Sequence, residues 1–203
     1  MTDVSRSDLA DRIRACGAGR PRILVAIAGS PGSGKSTLAA ELALELGHTA
    51  AAVPMDGFHL DNDELQRRGL LHRKGMPETF DVAAFHALLV QLTAGGAVRY
   101  PTFDRAADRV VEGGGVVEAS VRFVVVEGNY LLLDEPGWSS LHELWDLTIR
   151  LDVPPSELKQ RLLRRWLDQG LSRDEALRRA LDNDLANAER VARHSRPADL
   201  VLV

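Results

Sequence analysis

The chain has 203 residues, 45% hydrophobic and 27% charged, enough for one compact domain around a buried sheet. A formal charge of −4 and a pI near 5.9 exclude the basic excess of a nucleic-acid-binding protein. The lone Cys16 excludes an internal disulfide, and with no apolar run near the ~20 residues of a membrane helix and no signal-peptide core, the expectation is a cytoplasmic protein without membrane or nucleic-acid partners.

In chain order, residues 5–16 carry Leu9, Ile13 and Cys16 at helical spacing and predict a leading amphipathic helix. The run "RILVAIAG" at 22–29 is continuously apolar, the pattern of a strand covered on both faces in a parallel sheet. Residues 36–47 predict a helix that stops at Gly47, and "TAAAVPM" predicts a second strand. Residues 81–94 predict another helix, with Asp81 as its cap ahead of Val82, Phe85, Leu88 and Leu89. The stretch 98–120 departs from this alternation and predicts an inserted hairpin around Gly113, Gly114 and Gly115. Strands follow in "VRFVVVEG" (121–128), "LTIRLDV" (147–153) and the final "ADLVLV". Pro154 and Pro155 open a helix at the tolerated first turn. Strands alternating with helices pair in parallel through right-handed crossovers, so the fold class is α/β, three-layered, with a mostly parallel five-stranded sheet in one domain over 1–203.

The stretch "GSPGSGKST" comprises Gly29, Ser30, Pro31, Gly32, Ser33, Gly34, Lys35, Ser36 and Thr37, and satisfies G-x-x-x-x-G-K-[ST] between a predicted strand and a predicted helix. Glycines there let backbone N–H groups converge on phosphate oxygens, and the following helix adds its positive end. The fold expected is therefore that of a P-loop NTPase binding nucleotide phosphates and Mg²⁺, with Lys35 on the β and γ phosphates and Ser36 on the metal.

A phosphate cradle serves switches, motors and kinases alike, so the other polar residues must decide. In parallel α/β sheets ligands lie beyond the carboxyl ends of the strands, where Asp56 follows the second strand as the P-loop follows the first. A carboxylate there can take the proton of a hydroxyl attacking the γ-phosphoryl group. An Asp-Gly hairpin turn would need alternating strands on both sides, which "AAAVPM" and "FHLDNDEL" are not. Glu127 ends "FVVVEG" at the same edge and is a candidate metal-site carboxylate; the alternative is a solvated strand end. Arg161, Arg164 and Arg165 at i, i+3 and i+4 suit a helical lid, about 155–175, whose guanidinium groups close over phosphates; the alternative is a solvated basic face. No N-K-x-D motif supports a GTPase, and a regulatory ATP-binding switch would not need Asp56 beside the phosphates.

"GSPGSGKST", "MDGFHLDNDELQRRGLLHRKGMPETFD", "YPTFDRAADR" and "VVVEGNYLLL" together resemble the P-loop kinase family of uridine kinases, phosphoribulokinases and type I pantothenate kinases, over roughly residues 20 to 170. "DGFHLDN" and "RKGMPETFD" are most similar to the pantothenate kinases. Short relatives are known as nucleoside or nucleotide kinase-like, or as kinases linked to fructose transport. The resemblance implies that Asp56 is the catalytic base, Lys35 and Ser36 serve ATP and Mg²⁺, Glu127 lies near the metal and the Arg161–Arg165 helix is the lid. It implies an acceptor pocket of His59, Arg73, Lys74, Phe103, Asp104, Arg105 and Asn129. Uridine kinases carry a histidine where this chain has Asp108, and pantothenate kinases surround their substrate with tyrosines, where this chain has only Tyr100 and Tyr130. The expected partner is thus a small-molecule acceptor, a sugar or polyol such as fructose, with a nucleoside or pantothenate as alternatives and a homodimer left open.

Overall fold

All seven residues of "ILVAIAG" are buried, and this run forms the middle of the sheet. The computed structural model describes residues 2–3, 5–16 and 19–203. In chain order the first half contains β1 (Thr2–Asp3), α1 (Leu9–Cys16), β2 (Ile23–Gly29), α2 (Lys35–Leu46), β3 (Ala50–Pro54), α3 (Asn62–Arg67) and α4 (Val82–Thr93). A hairpin of β4 (Val98–Asp104) and β5 (Arg109–Val117) precedes β6 (Phe123–Gly128), β7 (Leu147–Leu151), α5 (Pro155–Asp168), α6 (Arg173–Arg179), α7 (Ala186–His194) and β8 (Leu200–Leu202). Among the described residues, no helix is long and apolar enough to cross a membrane.

The sheet runs β1-β8-β7-β2-β6-β3, with every pairing parallel. Its body is the five expected strands, to which the two residues of β1 add an edge. Successive strand residues face opposite sides, and each side is covered. Leu24, Ala26, Val124 and Val126 pack under Phe85, Leu88, Leu89 and Leu92 of α4, together with Tyr130 and Trp138. Ile23, Val25, Ile27, Val125 and Ile149 pack against Leu9 and Ile13 of α1 and Leu38 and Leu42 of α2. Each such side chain contributes about 1.5–3 kcal/mol on burial, and two covered faces give the three layers. At the amino end of β2 the buried Arg22 donates to the carbonyls of Val121, Gly96 and Glu118 at 3.0, 2.9 and 3.0 Å and clamps three connections together.

The inserted hairpin is present, but its turn is not at the glycines. The chain reverses at residues 105–108, where the Asp104 carboxylate accepts from the N–H groups of Ala106 and Ala107, both at 3.0 Å. Asp108 completes the reversal at φ 49°, a left-handed conformation that aspartate tolerates better than most residues. Gly114 and Gly115 lie inside β5 instead, because Thr102 Oγ1 and the Tyr100 ring stand 2.1 and 2.3 Å from where their Cβ atoms would be. A second difference concerns residues 173–194, for which the sequence predicts no element beyond the end of the lid near 175. They form one unbroken helix: α6 opens with a capping box between Ser172 and Glu175, a π-helical turn spans Ala180–Leu185, and α7 follows.

Candidate active site

The P-loop joins the carboxyl end of β2 to the amino end of α2, as the strand–loop–helix motif requires. Gly32 and Gly34 take φ of 77° and 96°, which residues with a side chain seldom adopt, and so curl the backbone into a cradle. Lys35, 7% exposed, donates from Nζ to the Ser30 carbonyl at 2.9 Å. Burial pulls its pKa down to about 8, against the pull of Glu127 and Asp56 in the other direction. A buried ammonium group held in a ring of backbone dipoles is a ready anion site.

Ser36 Oγ donates to Glu127 Oε1 at 2.9 Å, at the foot of the same cradle. Burial pushes the Glu127 carboxyl up, with Lys35 opposing. One hydroxyl and one carboxylate oxygen side by side, next to a phosphate cradle, are the donor set that Mg²⁺ accepts when nucleotide phosphates complete its shell. The residues fit that ion.

The register places Asp56. Glu127 pairs with Pro54, so the turn Met55–Phe58 leaves the sheet at the edge where β2 delivers the P-loop. Buried Met55 and Phe58 anchor the turn and leave Asp56 facing the cavity. Gly57 is needed for a different reason from a hairpin reversal: a Cβ there would meet the Pro101 carbonyl oxygen at 1.9 Å, so only glycine lets β4 cross this turn. Crossing brings the hairpin tip to the site, and Arg105 Nη2 lies 2.6 Å from Asp56 Oδ2.

His59 Nδ1 is 2.8 Å from the Asp56 carbonyl oxygen, and its ring lies between Phe80 and Phe103 at centroid distances of 4.1 and 4.7 Å. Burial pulls its pKa down, so the neutral ring donates from Nδ1 and keeps Nε2 as an acceptor. Lys74 Nζ, over the Phe103 ring, donates to Asn62 Oδ1 at 2.7 Å and pairs with Asp108 at 2.8 Å.

These groups open on one cavity of about 880 Å³, lined also by Asn129 and Arg165. Four expected members, Arg73, Asp104, Arg161 and Arg164, lie outside its lining. Arg73 turns to Met76 Sδ at 2.9 Å and to Glu78, Asp104 is spent on the hairpin turn, and Arg164 is exposed beside Asp168 at 3.9 Å. The arginine trio is thereby split. Leu158 and Leu162 fix which face of α5 is buried, so Arg165 flanks the cavity and Arg164 points away. Arg161 Nη1 instead props the P-loop from behind, 3.2 Å from the Ser33 carbonyl oxygen.

A further wall comes from the helix that the sequence reading missed. Trp166 Nε1 donates to Asp184 Oδ2 at 2.7 Å, while Arg165 and Arg179 lie over its ring at 5.5 and 5.1 Å. Asn183 Nδ2 donates to the Lys74 carbonyl at 3.0 Å, and Asn187, 2% exposed, reaches the Gly75 carbonyl at 3.5 Å. The available signal was Asn183 and Asn187 four apart beside Ala180, Ala188 and Val191, which puts two amides on a buried helix face.

The profile of the family described as Phosphoribulokinase / Uridine kinase family matches residues 24–202. A provisionally named uridine kinase of Schizosaccharomyces pombe is 36% identical over 197 residues, covering 89% of this chain and 83% of that protein. The uncharacterized protein YggC of Escherichia coli is 38% identical over 187 residues, covering 89% and 77%. Pantothenate kinases also match, and the chain spans about half of their length. Among solved structures, a protein of Silicibacter sp. TM1040 provisionally named a fructose transport system kinase superposes with a TM-score of 0.94 at 48% identity, covering 98% of each chain.

Proposed function

Since the chain belongs to the phosphoribulokinase and uridine kinase family and is an ATP-dependent P-loop kinase, we propose that it phosphorylates a hydroxyl of a sugar or polyol, with Asp56 as general base. The observation that carries this reading is the position of Asp56 at the sheet edge, lining the same cavity as the P-loop, in the strand register that also delivers Glu127.

In this reading Lys35 and the cradle N–H groups hold the β and γ phosphates, and Arg165 from the lid stands by the group being transferred. Ser36 and Glu127 hold Mg²⁺, which when bound neutralises charge developing on the phosphate oxygens. The acceptor hydroxyl gives its proton to Asp56 as its oxygen bonds to the γ-phosphorus and the bond from that phosphorus to the bridging oxygen breaks, leaving ADP. What favours a polyol over a nucleoside is the lining beside Asp56: the His59 ring is already packed against Phe80 and Phe103, tilted at 40° and 37°, while Asn129 and His59 Nε2 offer hydrogen bonds suited to hydroxyl groups.

The test is an ADP-release screen over sugars, polyols, nucleosides, pantothenate and glycerate, followed by Asp56→Asn on the acceptor it finds. The Asn variant keeps shape and ATP binding but cannot take the proton, so kcat falls by about 10²–10⁴. Turnover with nucleosides alone overturns the polyol reading. Near-normal transfer by Asp56→Asn overturns the assignment of the base, and ADP release indifferent to every acceptor favours a switch.

A further inference from the structure

An active-site base beside a γ-phosphoryl group faces a competitor that no pocket can exclude by size. Water could use Asp56 as an alcohol does: its oxygen bonds to phosphorus, the bond from phosphorus to the ADP oxygen breaks, the proton goes to the carboxylate, and ADP and inorganic phosphate leave. A kinase must suppress that reaction whenever its acceptor is absent.

In the ligand-free site one oxygen of that carboxylate, Oδ2, is engaged by a guanidinium group. Arg105 Nη2 lies 2.6 Å from Asp56 Oδ2, a charge-assisted hydrogen bond made from outside by a side chain 54% exposed, onto a carboxylate 26% exposed at the cavity mouth. An exposed ion pair of this kind is often accidental, but the turn that presents Arg105 is held on three sides. Pro101 is seated against Gly57, the Asp104 carboxylate caps the N–H groups of Ala106 and Ala107, and Asn62 and Lys74 both grip the Asp108 carboxylate, at 3.0 and 2.8 Å. Asp108 holds its left-handed φ of 49° within that grip. The fold thus fixes a guanidinium group over the base, where a looser loop would have left it wandering.

We propose that Arg105 is the residue by which the site chooses an acceptor hydroxyl over water. With no acceptor bound, the guanidinium occupies the carboxylate. A water molecule offers it no better partner. A polyol offers several oxygens at once, which draw Arg105 onto the acceptor and free Asp56 for the one hydroxyl in line with phosphorus. The proposal rests on Asp56 being the base, and the controls separate the two ideas.

The experiment measures, for wild type, Arg105→Ala and Arg105→Lys, the ATPase rate without acceptor and the ratio of phosphorylated acceptor to ADP with it. Arg105→Ala is expected to raise acceptor-free hydrolysis on the order of tenfold, a part of the ~10²–10⁴ a placed base supplies, and to lower the ratio. Arg105→Lys, which keeps a cation, is expected to restore much of both. A readout independent of turnover is carbodiimide-driven amide labelling of Asp56, located by mass spectrometry: it should be faint in acceptor-free wild type and strong in Arg105→Ala. If Arg105→Ala fails to fold, Arg105→Gln replaces it under the same criteria. An ATPase rate that is unchanged, or that falls in step with acceptor turnover, overturns the proposal, as does equal labelling of Asp56. Should Asp56→Asn retain phosphoryl transfer, the base assignment fails first, whatever Arg105 does.

Discussion

Adding one methyl group at Gly57 tests whether the hairpin is aligned by the backbone crossing beneath it. The new carbon would stand 1.9 Å from the Pro101 carbonyl oxygen, 2.5 Å from the Pro101 carbonyl carbon and 3.1 Å from the Thr102 nitrogen, all main-chain atoms that no rotamer change can move. Real Cβ contacts essentially never fall under 3.0 Å, so β4 must back away by at least 1 Å or so. Such overpacking costs about 1–3 kcal/mol, or roughly 2–12 °C in Tm for a chain of this size. Its larger effect is on geometry, because β4 carries Phe103 against His59 at 4.7 Å and leads directly to Arg105 over Asp56. A displacement of about 1 Å at a reacting centre costs on the order of 10² in rate, so Gly57→Ala should lose that factor in kcat. The atoms a Cβ at Gly57 would meet belong to Pro101 and Thr102, none of them in the P-loop, so ATP affinity, followed by calorimetry, should be unchanged. A Gly57→Ala protein with wild-type Tm and kcat would refute the reasoning.

The split arginine trio predicts that Arg165→Ala lowers kcat on the order of 10³ while Arg164→Ala leaves it near wild type; equal losses would contradict the assignment of faces on α5. Lys35 with a pKa of about 8 loses its proton as pH rises through that value, so ATP affinity of the ligand-free protein should weaken there; a titration flat up to the ordinary lysine range would refute this. Glu135 is held down to about 2 by Arg190 and then His194, against an ordinary 4.5, so this ion pair stabilises the fold fully at neutral pH and its contribution is lost as pH falls from 4.5 through 2. Arg190→Met should therefore be less stable in urea at pH 7 by roughly 1–2 kcal/mol after solvent screening, with the gap to wild type closing toward pH 2; a gap that persists in acid would show the loss to be packing.

The parts of the site visible in the sequence are those where one local pattern carries the physics. The P-loop is contiguous, and its glycines and lysine have no other common use between a strand and a helix. Asp56 and Glu127 were legible because parallel strands end at one edge, which the Pro54–Glu127 register bears out. The hairpin turn was misplaced because three glycines look like a reversal, whereas here Gly114 and Gly115 make room for Thr102 and Tyr100, neighbours set only by strand pairing. Arg73 and Asp104 match the family motif by position, yet Met76 and Glu78, and the N–H groups of Ala106 and Ala107, claim them in the fold. The phase of α5 could have been taken from Leu158 and Leu162, which exclude Arg164 from the cavity side. Asn183, Asp184 and Asn187 escaped notice because a π-helical turn shifts the phase between α6 and α7, and a 3.6-residue period applied across it blurs the face they share.

The register of the sheet also governs the order in which the protein can be made. β2 precedes both of its sheet neighbours by a long stretch of chain: β6 begins with Ile23 against Phe123, and β7 with Val25 against Leu147. Neither edge can pair as in the folded sheet until about a hundred more residues have been synthesised, some 5–20 s of translation. During that interval "ILVAIAG", which becomes the innermost strand, is an open apolar ribbon, and the P-loop has no strand to stand on. Contacts this distant in sequence make for slow folding and for dependence on chaperones.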